Sequence, residues 1–222
     1  KQVTCNFCGW QGSDYRTMVA TIDIRHHAIC PGCLSLERHR EFLTLFKKVR
    51  ALFSSREIHL LDIAPNKAFS DYCQNAIGIE YLSIDIQSQL AMRHMDIQNL
   101  ELPDESFDII VSYHVLDYVD DDSKGLAEIY RTLKSNGIAI IQEGIEENNA
   151  KTIEFGNALP ENQYRIRQYG REFTELLARA NFNIFAFQPH PDRNPVFLIT
   201  KKTNQMSTSF SDLFKEEATS TR

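Results

Sequence analysis

No apolar stretch in this 222-residue chain approaches the length that would cross a bilayer, and no signal peptide is visible at its start. A basic excess is missing too. The 24 Lys and Arg face 30 Asp and Glu, for a formal net charge of −6, and this balance argues against nucleic acid as partner. The dinucleotide fingerprint G-x-G-x-x-G does not occur, which argues against a nicotinamide enzyme. No internal repeat is evident. Cysteine is sparse and odd in number: two C-x-x-C pairs use four of the 5, leaving Cys73 to pack under a helix. Together these absences predict a reducing, cytoplasmic setting with no membrane contact. Oligomeric state is left open.

What the chain does contain is an ordered series of strand-like runs. Ile58–Asp62 and Tyr81–Asp85 each end in an acid, a third acid follows in Met95-Asp96-Ile97, and Phe107–Ser112 and Ile138–Ile141 complete the set. Apolar runs alternating with helical stretches read as βα units, which build a mostly parallel sheet with helices on both faces. Ligands of such sheets bind at the carboxyl ends of the strands, where the strand order reverses. An acid ending the second strand, Asp85, is placed to accept hydrogen bonds from two ribose hydroxyls. At 42% hydrophobic residues, the chain can bury one α/β core plus a small accessory module.

From about Glu57 to Lys201 the sequence resembles a class I S-adenosylmethionine-dependent methyltransferase of the small-molecule type. The resemblance rests on Leu102-Pro103-Asp104-Glu105-Ser106-Phe107-Asp108, on Glu128–Leu133, on Leu133-Lys134-Ser135-Asn136-Gly137 and on the Ala180-Asn181-Phe182 step. It implies a Rossmann-like, seven-stranded sheet and S-adenosylmethionine as cofactor. Asp62, with Ala64 and Asn66, would form the first loop, Asp85 and Ile86 would meet the ribose, and Asp96 and Ile97 the adenine. Ser112 and Tyr113 would lie near the methionine part. One departure stands out: Asp62-Ile63-Ala64-Pro65-Asn66-Lys67-Ala68 puts Ala64, Asn66 and Ala68 where the family pattern has three glycines. Alanine costs little space there, and asparagine tolerates left-handed backbone better than most residues. A modified but usable loop is expected.

Cys5-Asn6-Phe7-Cys8 and Cys30-Pro31-Gly32-Cys33 are separated by 21 residues. Two such knuckles can close a four-sulfur structural zinc site. Two disulfides or a redox pair are the competing chemistries, but no thioredoxin-like βαβ context surrounds either pair. Gly32 is expected to permit the tight backbone of the second knuckle. About thirty residues cannot build a core alone, so metal would supply folding free energy. The following run, Ser35-Leu36-Glu37-Arg38-His39-Arg40, also resembles bacterial methyltransferase-domain proteins whose cysteine knuckle leads into such a helix ahead of an L-x-I-A-P strand. Whether those basic residues face the active site is left open.

The expected organisation is a zinc module at 1–34, a linking helix at 35–56 with Leu36, Leu43, Phe46, Val49 and Phe53 on its apolar face, and a methyltransferase domain at 57–202. The tail at 203–222 has Phe210, Leu213 and Phe214 as its anchors and is expected to be mobile. The polar stretch 144–170 is long for an αβ connection and reads as a lid, with Arg165, Arg167 and Tyr169 suited to an anionic group. Asp120-Asp121-Asp122 reads as a helix cap through Asp122 or Ser123 rather than a metal site. In the loop after the fourth strand, Tyr113, His114 and Asp117 reach the acceptor position, and His114 is the candidate general base. The expected activity is methylation of a hydroxyl, carboxyl or amine on a small or carbohydrate-like acceptor. The alternatives are a zinc-ribbon binding module on a degenerate methyltransferase scaffold, or an RNA or protein acceptor.

Overall fold

A computed structural model describes residues 2–19, 24–53, 57–188, 194–202 and 210. The chain divides into two compact units, one comprising Lys1–Glu57 with Asn66–Ile79, the other Ile58–Pro65 with Glu80–Arg222.

The first unit begins with two short hairpins. β1 (Val3–Thr4) pairs with β2 (Gln11–Gly12), and β3 (Arg16–Val19) with β4 (Ile24–Ile29), both antiparallel. Helix α1 (Glu37–Ala51) follows, and α2 (Lys67–Asn75) joins it from further along the chain. The two helices share an aromatic core: Phe69 lies edge-on to Phe42 and Phe46 at centroid distances of 4.8 and 4.9 Å. Such pairs add specific geometry to the burial of large apolar area. Helix α1, inside the segment read as a link, is thus packed on α2 within this unit. The apolar face of α1 includes Phe42 and Leu45, which helical spacing alone did not select, while Leu36 is only half-buried. Cys73 is buried on α2 as expected.

The second unit is a seven-stranded sheet in the order β12-β13-β9-β8-β5-β6-β7, from β5 (Ile58–Ile63), β6 (Ile79–Asp85), β7 (Arg93–His94), β8 (Phe107–Tyr113), β9 (Leu133–Gln142), β12 (Phe182–Phe187) and β13 (Val196–Lys201). β5 pairs parallel with β8 and β8 with β9, whereas β13 runs antiparallel to both β9 and β12. β8 is buried along almost its whole length, as a strand covered on both faces must be. The chain winds outward from β5 through β6 to β7, then returns to β8 on the other side. The order therefore reverses between β5 and β8.

Two motif segments prove to be halves of one fixture. Arg131, on α3 (Asp122–Thr132), donates to the carbonyls of Leu100 and Leu102 and to the carboxylates of Asp104 and Glu128 at 2.6 to 2.8 Å. One guanidinium thus fixes the Leu102–Asp108 loop to the helix that follows β8. The cap of α3 differs from expectation: Asp121 accepts from Lys124 N at 3.1 Å. Asp122 instead accepts from Tyr169 Oη at 2.9 Å.

The 144–170 stretch has structure of its own. β10 (Ile153–Glu154) pairs antiparallel with β11 (Arg167–Gln168), a 3₁₀ turn spans Pro160–Asn162, and α4 (Phe173–Arg179) follows. In the tail, Phe210 is buried with its ring 5.9 Å from Phe185. Leu213 and Phe214 lie outside the described residues. Among the described residues, no helix is long and apolar enough to cross a membrane.

Candidate functional site

A cavity of about 400 Å³ opens at the carboxyl ends of β5, β6 and β8, on the side where the strand order reverses. This size is in the range of small-ligand sites. Six of the residues singled out in the sequence line it: Ala64, Asp85, Ile86, Asp96, Ile97 and His114. Gln98, Tyr118 and Asp120 complete its polar wall.

Backbone strain marks two corners of the cavity. Ala64 and His114 both hold left-handed backbone, at φ 57° and 53°. Each is pinned by its amide, Ala64 N to Ile84 O and His114 N to Gln142 O, both at 2.8 Å. Non-glycine residues in this region are uncommon and concentrate at functional sites. The missing glycine at position 64 is thus compensated by the smallest side chain that can follow the same path.

The acids divide their oxygens differently. Asp85 accepts from the amides of Gln87 and Ser88 with one oxygen, Oδ1, at 2.8 Å each. Among the described residues Oδ2 accepts no hydrogen bond, which leaves this oxygen of a half-buried side chain for the cavity. Asp96 takes the amide of Gln98 at 2.9 Å and its side-chain nitrogen at 3.1 and 3.2 Å. Gln98 in turn accepts from Asp121 N at 2.9 Å, tying Asp96 to the start of α3. Gln98 was not legible as a site residue; its one signal is its place two residues after Asp96.

Asp62 is buried beneath the cavity and receives the Tyr81 hydroxyl at 2.7 Å. Burial raises its pKa from 3.8 to about 7, the hydroxyl bond opposing. Because the folded value exceeds the unfolded one, the carboxyl stabilises the fold at low pH. That contribution declines as pH rises from about 4 to 7. Asp62→Asn removes the penalty, and we expect it to stabilise the ligand-free protein near pH 8 by up to about 4 kcal/mol, with little effect near pH 4. Denaturant unfolding of both proteins across this range checks it; a constant difference would show that Asp62 does not titrate there.

The remaining sequence-selected residues fall elsewhere. Asn66 caps α2 by accepting from Phe69 N at 3.1 Å. Ser112 is fully buried and its hydroxyl meets no partner. Tyr113 stacks edge-on to His114 at 6.5 Å. Arg167 and Tyr169 are not displayed to an open surface: they are 5% and 1% exposed. Arg167 donates to the carbonyls of Leu116, Val119 and Asp120, and Tyr169 Oη to Leu116 O. Their polar groups hold the loop after β8 instead of waiting for an anion. Arg165 lies 4.0 Å from Asp117 and donates to Gln168 and Asn162 O.

In the first unit, ligand atoms of Cys5, Cys8, Cys30 and Cys33 all lie within 4.8 Å of one another. The Cys5–Cys33 and Cys8–Cys30 sulfurs are 3.7 Å apart. A disulfide would need about 2.05 Å, whereas four sulfurs around one tetrahedral zinc stand about 3.8 Å apart. The two knuckles are built alike, with Gly9 N donating to Cys5 O and Leu34 N to Cys30 O, both at 2.9 Å. The left-handed position of each follows the second cysteine, so it falls on Gly9 and Leu34 and not on Gly32. Gly32 is needed for space: a Cβ there would meet Trp10 Cβ at 2.9 Å and Cys8 Sγ at 3.0 Å. Two of the basic residues after the knuckle, His39 and Arg40, are engaged within this unit. Arg40 donates to Ala28 O and Ser35 O and covers the Tyr15 ring at 3.8 Å. His39 receives Leu36 N, and burial lowers its pKa to about 4.

Comparison with known proteins meets this geometry. Residues 47–141 match the family model described as a methyltransferase domain. A probable S-adenosylmethionine-dependent methyltransferase of Mycolicibacterium smegmatis is 27% identical over 122 residues, covering 52% of this chain and 46% of that protein. The uncharacterized methyltransferase YcgJ of Bacillus subtilis is 28% identical over 134 residues, covering 54% and 52%. The chain spans about half the length of these curated relatives. The crystal structure of YcgJ superposes with a TM-score of 0.53 at 20% identity, over 68% of this chain and 71% of that one. The [4+2]-cyclase SpnF does so at 0.56 and 18%, over 71% and 63%; at such identities the likeness concerns the fold alone. Sheet order, cavity position and the match over residues 47–141 agree on a class I methyltransferase fold and on a chain similar to S-adenosylmethionine-dependent methyltransferases.

Proposed function

We propose that the chain transfers the methyl group of S-adenosylmethionine to a hydroxyl, carboxyl or amine of a small or carbohydrate-like acceptor. The observation that carries this is the Asp85 carboxylate, held at the cavity by two amides through Oδ1 with Oδ2 unused. This carboxylate suits a pair of ribose hydroxyls. Ile86 and Ile97 supply apolar walls, Asp96 suits an exocyclic amine, and Ala64 allows close backbone approach. When bound, the cofactor supplies an electrophilic methyl carbon on a positively charged sulfur. The protein's part is to hold the acceptor in line and manage its proton. His114 lines the cavity and is the group we assign to take that proton. The 144–170 segment, fastened through Arg167 and Tyr169 to the loop after β8, serves as a cover over the acceptor side.

The four-cysteine cluster we assign to structural zinc, on the strength of its 3.7 Å sulfur spacing. The net charge of −6 supports a small acceptor over RNA. A degenerate scaffold is disfavoured, since Ala64 keeps the turn that glycine would otherwise make.

Calorimetric titration of S-adenosylmethionine and S-adenosylhomocysteine into the intact protein tests the assignment: both should bind, and failure of both would end it. His114→Ala should leave cofactor affinity within about twofold while turnover of an acceptor found by screening falls about 10²-fold or more. Full turnover in this variant would remove His114 from the reaction.

A further inference from the structure

We infer that His114, Asp117 and Glu143 form a site for one divalent cation in the inner wall of the cavity, its open side toward the acceptor. The methyl-transfer reading supplies the use of this site; its existence stands on the geometry alone.

The sheet brings the three residues together. β8 and β9 run parallel with Tyr113 opposite Gln142, so the next residue of each strand, His114 and Glu143, leaves the sheet side by side. Asp117 returns to them from the 3₁₀ turn Leu116–Tyr118. One ligand atom from each of the three lies within 4.8 Å of the others.

The carboxylates are buried with donors missing. Glu143 is 0% and Asp117 2% exposed. Glu143 Oε1 accepts from Val115 N at 3.2 Å and Leu116 N at 3.1 Å, while its Oε2 meets no donor. Asp117 Oδ2 faces Arg165 Nε at 4.0 Å, while its Oδ1 meets no donor. Two neighbouring buried carboxylates thus each present one bare oxygen, an arrangement that costs several kcal/mol unless something positive is shared between them. Arg165 offers one charge from one side and is partly spent on Gln168 and Asn162 O. Arg167 is committed to carbonyls and to Glu154. A proton bridging the two oxygens would satisfy that pair. A cation would satisfy the same pair and also use the imidazole, whose ligand atom lies in the same cluster.

One imidazole and two carboxylates suit manganese, iron(II) or zinc, and differ in kind from the thiolates of the first unit. His114 is the member that lines the cavity, so the vacant coordination positions face the space left for the acceptor. This favours acceptors with a hydroxyl able to coordinate, such as vicinal diols or hydroxy acids. A bound cation lowers the pKa of that hydroxyl, and its proton leaves to water. In the loaded protein His114 then acts as a ligand that holds the cation, and it takes the acceptor's proton only when the cation is absent.

Manganese(II) is the probe, because its free ion gives an electron paramagnetic resonance signal that disappears on binding and because it disfavours thiolate sites. The full-length protein, its cysteines saturated with zinc and excess metal removed, should bind one manganese per chain. Asp117→Asn and Glu143→Gln should each weaken this at least about tenfold. Circular dichroism of both variants checks that they are folded. In the wild type itself, manganese should raise the thermal midpoint, so the inference does not depend on the variants. No loss of free-ion signal at millimolar manganese would overturn the site and leave a proton-sharing carboxyl pair; so would unchanged binding in folded variants. S-adenosylmethionine titrated in parallel keeps the two questions apart: manganese binding without cofactor binding would spare the cation site and sink the methyltransfer assignment.

Discussion

Replacing Asp85 with alanine should abolish measurable binding of S-adenosylmethionine, a loss of about a hundredfold or more. The magnitude follows from two hydrogen bonds to an ionised carboxylate, each worth about 1.5–3 kcal/mol when its partner is left buried and unpaired. Alanine also frees the amides of Gln87 and Ser88, which Oδ1 now holds at 2.8 Å. The loop carrying Ile86 would then loosen, and a structural loss could pass for a lost contact. Asp85→Asn separates the two. Its side-chain oxygen still accepts from the loop amides, while the second acceptor and the charge are gone. If the carboxylate holds the ribose, asparagine should lose most of what alanine loses; if Asp85 only shapes the turn, asparagine should bind nearly as wild type. Calorimetric titration of both variants decides it, and wild-type affinity in both would move the ribose site elsewhere.

The parts of this site that could be read in the sequence are those carried by strand ends. Asp62, Asp85 and Ser112 announce themselves because apolar runs stop there, and the sheet then places those ends along one edge. The first loop was legible in position though its glycines are gone, since alanine at 64 leaves the left-handed turn intact. Other features depend on distance through space. Glu143 looks like any polar residue after a strand until β8 and β9 set it beside His114. Arg167 and Tyr169 looked like ligand-binding groups because a polar segment carried them; their carbonyl partners, about fifty positions earlier in the chain, turn them into fasteners. The knuckle geometry was half-visible. C-x-x-C spacing gives the ligands, but the residue forced into left-handed backbone in the second knuckle is Leu34, which no propensity would choose.

That forced conformation points to the second large effect. Stripping metal from the four-cysteine cluster should unfold the hairpins β1–β4, because their apolar core is thin and the remaining ties are polar contacts to α1 such as those of Arg40 and Asn6. Val19, Ile24 and Leu34 are exposed, and the buried apolar residues there are chiefly Cys5, Ala28 and Cys30. Structural zinc contributes about 10–16 kcal/mol of binding free energy in small cysteine modules, several times what so thin a core supplies. Chelation should therefore erase hydrogen-exchange protection at the amides of Gly9, Cys30 and Leu34, whose bonds lie within the knuckles. The aromatic contact of α1 with α2 through Phe42, Phe46 and Phe69 owes nothing to the metal, so protection in the middle of α1 should outlast that of the knuckles. Cys30→Ala should reproduce the chelated pattern and reduce bound zinc well below one per chain. Persisting knuckle protection after complete metal removal, or a mass shift showing two disulfides, would overturn the zinc assignment. Simultaneous loss throughout the first unit would show instead that α1 and α2 depend on the cluster for more than their aromatic contact provides.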